Sequence, residues 1–146
     1  MPSAPARPIG FGVAGDPPIP LEPAILLWGD FDGERVDLGE VAGEFGWRVK
    51  PFDPLGAWTA VAVIVDAAGD EDWRDRVRAS TILVPHAPVV VARRFNPESC
   101  DCDPVRDGVF DVLLRPFDPA ECRQSFGFLH HRLARRGRRL LSVRAA

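Results

Sequence analysis

The sequence predicts an α/β sandwich built on a parallel five-stranded sheet, and three observations carry that prediction. Short apolar runs, the longest of them β-branched and continuous, alternate with segments of helical period. Helix-start signals stand at the head of those segments, and glycine follows the first of them. The chain has 146 residues, 46% apolar and 27% charged, with four Trp and nine Phe, which suits one domain with a real core and excludes global disorder.

Residues 1–23 come first and hold seven of the fifteen prolines with three glycines. That composition removes amide donors and favours extended backbone, so the segment reads as an arm, with Phe11 and Val13 available to dock. The domain proper is expected over 24–136, with a basic tail over 137–146. Five strands are placed at AILLW (24–28), WRVKPF (47–52), AVAVIVDA (60–67), PVVVARR (88–94) and FDVLL (110–114). Continuous apolar strands are buried on both faces, so helices must cover them, joined by right-handed crossovers.

The first helix is expected to start at Asp37, where Glu40 completes a capping box, and to bury Leu38, Val41, Ala42 and Phe45 before Gly46 stops it. Between Lys50 and Ala60 lie only nine residues, PFDPLGAWT, so a single turn fits there and Trp58 is expected to plug the gap. DEDWRDRVRAS (70–80) reads as a helix with Trp73 and Val77 on its buried face. NPESCDCDPVRDG (96–108) contains Pro97 and Pro104 and no apolar stripe, so a helix there is weakened. The last helix has Asp118 as N-cap, Pro119 at N1 and Glu121 at N3, then the stripe Cys122, Phe126, Leu129 and Leu133. Gly137 is expected to end or kink it.

Composition also excludes several functions. No apolar run approaches the about 18–20 residues of a membrane span, and the first 24 residues lack a basic start and apolar core, so a cytoplasmic location is expected. Cys100, Cys102 and Cys122 are too few for a disulfide framework and read as reduced thiols. The net charge of −3 hides an asymmetry, because residues 123–146 carry seven Arg and no acid. That tail reads first as a solvated helix end whose cations complement the helix dipole, and second as a partner-binding extension. The segment is short and lacks interleaved aromatics, which argues against nucleic-acid binding. The CDC pair with His130 and His131 matches no common zinc spacing.

In a parallel sheet, ligands gather beyond the carboxyl ends of the strands. Those ends offer Gly29, Asp30 and Asp32, then Asp66, then Arg93 and Arg94, then Arg115 and Pro116. At these residues the sequence resembles the receiver domain of response regulators. GVFDVLLRPFDPAE (108–121) resembles the family's Gly-Ala-Asp-Asp-Tyr-Leu-x-Lys-Pro-Phe followed by a helix start, and Arg93 precedes Arg115 by 22 positions, as the family's Ser/Thr precedes its Lys. The resemblance covers about residues 24–136. It implies a flavodoxin-like receiver fold, sheet order 2-1-3-4-5, with the family's second helix shortened or absent.

The resemblance places Asp66 at the phosphoacceptor position and Asp30 at the second acidic position, with Gly29 at the first. Arg93 stands at the hydroxyl switch position, Arg115 at the Lys position and Val112 at the aromatic switch position, while Pro116 follows a bond that is often cis in the family. Asp32, whose spacing is not the family's, is the candidate to replace the missing acid under the phosphorelay alternative. Asp30, Asp66, Arg93 and Arg115 carry no net formal charge, which removes the pull on a divalent cation and favours a forked Arg-carboxylate pair. The expected function is a phosphorylation-independent protein-interaction module in bacterial signalling, a stand-alone pseudo-receiver without an output domain, without catalysis and without a cofactor. Its partner is a signalling kinase or regulator, or a second copy docked through the last strand and helix, where Phe128, Arg132, Arg135 and Arg136 are the interface candidates. The alternative is a phosphorelay protein that uses Asp66 and Asp30 with Mg²⁺.

Overall fold

A computed structural model describes residues 22–67, 73–94 and 104–145, without the side chains of 104, 105 and 137–145. Its elements run β1 (Ala24–Trp28), α1 (Arg35–Glu44), β2 (Arg48–Pro51), a 3₁₀ helix (Pro54–Thr59), β3 (Ala60–Asp66), α2 (Trp73–Leu83), β4 (Val89–Arg94), α3 (Pro104–Asp107), β5 (Asp111–Arg115) and α4 (Pro119–Ala145). The strands form one sheet in the order β2-β1-β3-β4-β5, with every neighbouring pair parallel. This is the flavodoxin-like receiver architecture. β3 lies at the centre and all seven of its residues are buried, as its unbroken β-branched run requires.

Two apolar layers hold the sheet. On one face Leu38, Val41 and Ala42 of α1 and Cys122, Phe126 and Leu129 of α4 pack on Ile25, Leu27, Ile64 and Val90. On the other, Trp73 and Val77 of α2 and Ala57 of the 3₁₀ helix pack on Leu26, Val63, Val65 and Val91. α3 stands beside α2, where Arg74 Nε lies 3.3 Å from Asp107 Oδ1.

Several local expectations are corrected. α1 begins at Arg35, with Glu34 as its N-cap residue, so Asp37 sits inside the first turn instead of capping it. At its far end Gly46 takes φ +78°, a left-handed conformation that lets Trp47 N–H reach back to Ala42 O at 3.0 Å. In place of the single turn expected after β2, a 3₁₀ helix of six residues, about two turns, forms, capped by Asp53, whose carboxylate accepts from Leu55 N–H at 3.0 Å. Trp58 does not plug the gap. It is 42% exposed, and the inward position is taken by Ala57, with the stacked rings of Trp28 and Phe52 against the same layer.

The last helix starts as its signals predict: Asp118 Oδ1 accepts from Ala120 N–H at 3.1 Å and Pro119 stands at the first helical position. Gly137 neither ends nor breaks it. α4 continues to Ala145 and spans the boundary drawn at 136/137. A helical Gly costs only about 1 kcal/mol relative to Ala, less than the helix-forming Arg, Leu and Ala around it supply together. The CDC segment, the arm over residues 1–21 and most of the 96–108 stretch lie outside the described residues.

Phe126 is fully buried between the α1/α4 layer and the sheet. Phe126→Ala should lower unfolding free energy by about 3–5 kcal/mol in denaturant titration, because the aromatic leaves a cavity that α1 cannot follow. A loss under about 1 kcal/mol would show that this layer does not hold the domain.

Candidate functional site

The site lies at the carboxyl ends of β1, β3 and β5, where three unlike sequence segments converge. β3 ends in Asp66, 9% exposed. β1 ends in a loop that must pass directly over Asp66. Gly29 makes this possible: its φ is +128°, and a Cβ there would stand 2.4 Å from Asp66 Cβ. Both the backbone conformation and the space exclude a side chain. The close approach brings Asp30 N–H within 3.2 Å of Asp66 Oδ2. Asp30 Oδ1 then accepts from Asp32 N–H at 3.0 Å, and Phe31 O accepts from the amides of Glu34 and Arg35 at 3.0 and 3.1 Å. These turns deliver Glu34 to the rim of the site.

β5 supplies the cation. Its last residue, Arg115, is 8% exposed and precedes a cis peptide bond to Pro116. Nη1 donates to Asp66 Oδ1 at 2.5 Å. Nη2 donates to the Asp30 carbonyl at 2.9 Å and to Glu34 Oε1. Nε donates to the same carboxylate, 3.1 and 3.2 Å from its two oxygens. Nε and Nη2 thus grip Glu34 as a fork while Nη1 points the other way onto Asp66. A lysine, with all its donors on one nitrogen, could not span these partners. The Arg115 Cζ also lies 4.9 Å from the Phe31 ring centroid and 5.7 Å from that of Phe117, so aromatic faces complete its walls.

Burial works against the Arg115 charge. The hydrogen bond to Glu34, followed by the fields of Asp66, Glu34 and Asp30, more than offsets it, and the pKa is raised. Glu34 was not among the residues singled out from the sequence, and it changes the charge arithmetic. Asp30, Glu34 and Asp66 against Arg93 and Arg115 leave a formal charge of −1 instead of zero. The neutralisation of Asp66 is therefore a matter of contact, not of a balanced total.

The other expected residues fall as follows. Asp32 is exposed and donates its amide N–H to the Asp30 carboxylate. Arg93 is half-buried near the end of β4, paired in register with Leu114. Val112 is half-buried and packs on the α2 layer. Phe128 is 57% exposed, and Arg132 and Arg135 are exposed on the same helix. Arg136 differs: it is half-buried and its field acts on His86, so it belongs to the base of the domain more than to an open surface.

The residues do not fit a divalent cation. Asp66 and the Asp30 carbonyl already accept from the guanidinium, the Asp30 carboxylate accepts from Asp32, and Gly29 brings no carboxylate. Among the described residues, no group of three or more His, Cys, Asp or Glu is arranged to hold a metal ion. Cys122 offers no nucleophile either. Burial, with Asp118 and Glu121 nearby, pushes its thiol up to about 11.

Among solved structures, the receiver domain of AraT, a response regulator from Geobacillus stearothermophilus, superposes with a TM-score of 0.62 at 20% identity, over 77% of this chain and 95% of that one. A response regulator from Thermotoga maritima gives 0.59 at 15% identity over 76% and 99% of the two chains. A response regulator receiver protein from Pseudoalteromonas atlantica gives 0.54 at 16% over 73% and 96%. No family model matches the chain. No curated protein matches it either.

Two measurements check the site. Gly29→Asp, which restores the acid that the family pattern has there, should destabilise the fold by about 2 kcal/mol or more through strain and collision with Asp66. Denaturant titration reads it, and a variant as stable as the parent would refute the close approach. The Cys122 thiol should react with a disulfide reagent at pH 8 only after unfolding. Because the folded state keeps a proton that an ordinary thiol near 9.0 gives up, stability should decline as pH rises from about 9 through about 11. The sheet order and these superpositions agree that the chain has the fold of a response-regulator receiver domain.

Proposed function

We propose that this chain is a receiver-type module of signal transduction whose acidic pocket is closed by its own arginine, and that it works by binding protein partners without being phosphorylated. The observation that carries this reading is the Arg115 guanidinium on Asp66, at the position where a phosphoacceptor would stand. A phosphoryl donor would have to displace a buried, charge-assisted hydrogen bond, and a divalent cation would compete with a fixed positive charge. On this reading the module catalyses nothing and recruits no cofactor.

Specificity then rests on surfaces. Leu114 of β5 is 38% exposed and Phe128 of α4 is 57% exposed, with Arg132 and Arg135 on the same helix. This supports a contact through the last strand and helix with a kinase, a regulator or a second copy. No helix among the described residues is long and apolar enough to cross a membrane.

Incubation with acetyl phosphate or phosphoramidate and Mg²⁺ should leave the intact mass unchanged, as it does for Asp66→Ala. A phosphoryl mass gain in the parent that vanishes in Asp66→Ala would replace this reading with that of a working phosphorelay receiver.

A further inference from the structure

We infer that Glu34 is the positioning residue that keeps Arg115 seated on Asp66, so that the pocket is held closed from the N-terminus of α1. The inference rests on the reading of a closed pocket and adds what closes it. Asp66 takes one guanidinium nitrogen, Nη1, whereas Glu34 takes Nε and Nη2 together. A fork fixes the plane and direction of a guanidinium, and a single hydrogen bond does not. The hydrogen bond to Glu34 is also the strongest of the influences that favour the Arg115 charge.

The local structure of α1 points the same way. Glu34 occupies the N-cap position, where a side chain would ordinarily cap the first turn, yet it makes no such bond. Only its carbonyl serves the helix, accepting from Leu38 N–H at 3.1 Å. The carboxylate is committed to Arg115 instead.

Accessibility then sets an order. Side-chain exposure rises from 5% for Arg115 and 12% for Asp66 to 21% for Glu34. Of these three side chains, Glu34 is the one that solvent or a docked protein reaches first. A partner cation that drew it away would leave Arg115 held by Asp66 and one carbonyl, against the cost of its burial. The contact is thus a latch on the pocket with its handle on the surface.

Carboxyl footprinting of the whole chain with a water-soluble carbodiimide and glycinamide, read by mass spectrometry, tests this at Asp66 itself. In the parent, Asp66 should label slowly. Glu34→Gln, isosteric and partly exposed, should raise its rate about tenfold or more, the scale of a lost charge-assisted hydrogen bond. Glu34→Asp, which keeps the charge, should bring the rate most of the way back. Glu44→Gln, which breaks the exposed Glu44–Arg123 pair, should change nothing. Arg115→Gln gives the rate without the guanidinium, and near-UV circular dichroism reports whether each variant keeps its fold.

Slow labelling of Asp66 in Glu34→Gln, alongside fast labelling in Arg115→Gln, would overturn the inference and leave the closed pocket standing. Fast labelling in the parent would overturn the closed pocket itself.

Discussion

A buried guanidinium is tolerated only where nearly every donor has a partner, and that constraint organises the upper edge of this domain. Arg115 sits at the end of β5 with its three nitrogens directed at three different places: the end of β3, the loop after β1 and the N-cap residue of α1. None of these segments is near it in sequence; Asp66 is 49 positions away and Glu34 is 81. The sheet brings them together because β1 and β3 are neighbours and all the strands point the same way. Gly29 then permits the last few ångströms of approach, and Phe31 and Phe117 close the sides.

This arrangement also separates architecture from chemistry. The sheet, its order and its two apolar layers are those of a receiver, while the polar edge spends its carboxylates on an internal cation. Reduction of one connecting segment to a 3₁₀ helix leaves Leu55 and Trp58 exposed on one side, and Leu114 and Phe128 are exposed on β5 and α4.

The sequence was most legible where a pattern is local and repeated. Runs such as AVAVIV admit only a buried strand in this context, and the stripe Cys122, Phe126, Leu129 and Leu133 emerged on the core side of α4. Asp66, Asp30 and Arg115 were legible as polar residues closing apolar runs. Glu34 was not, because its neighbour Asp37 makes the better capping pattern with Glu40, and nothing local reveals that a carboxylate is claimed from across the sheet. Trp58 misled for a related reason: its bulk suggested a plug, but in a tight 3₁₀ turn the small Ala57 is the residue that faces inward. Gly137 misled because a single weak helix former is outvoted by its neighbours.

Sequence alone therefore determined the fold class and the set of charged residues at the strand ends, because periodicity and spacing are properties of neighbouring residues, while the strand order came from the resemblance. Tertiary structure decided which carboxylate meets which guanidinium. Arg115 ends β5, and the register of the sheet, the turn through Gly29 and the placing of Glu34 seat its guanidinium on Asp66. Pairing of charges depends on distances of a few ångströms between segments far apart in the chain, and those distances exist only once the sheet has formed.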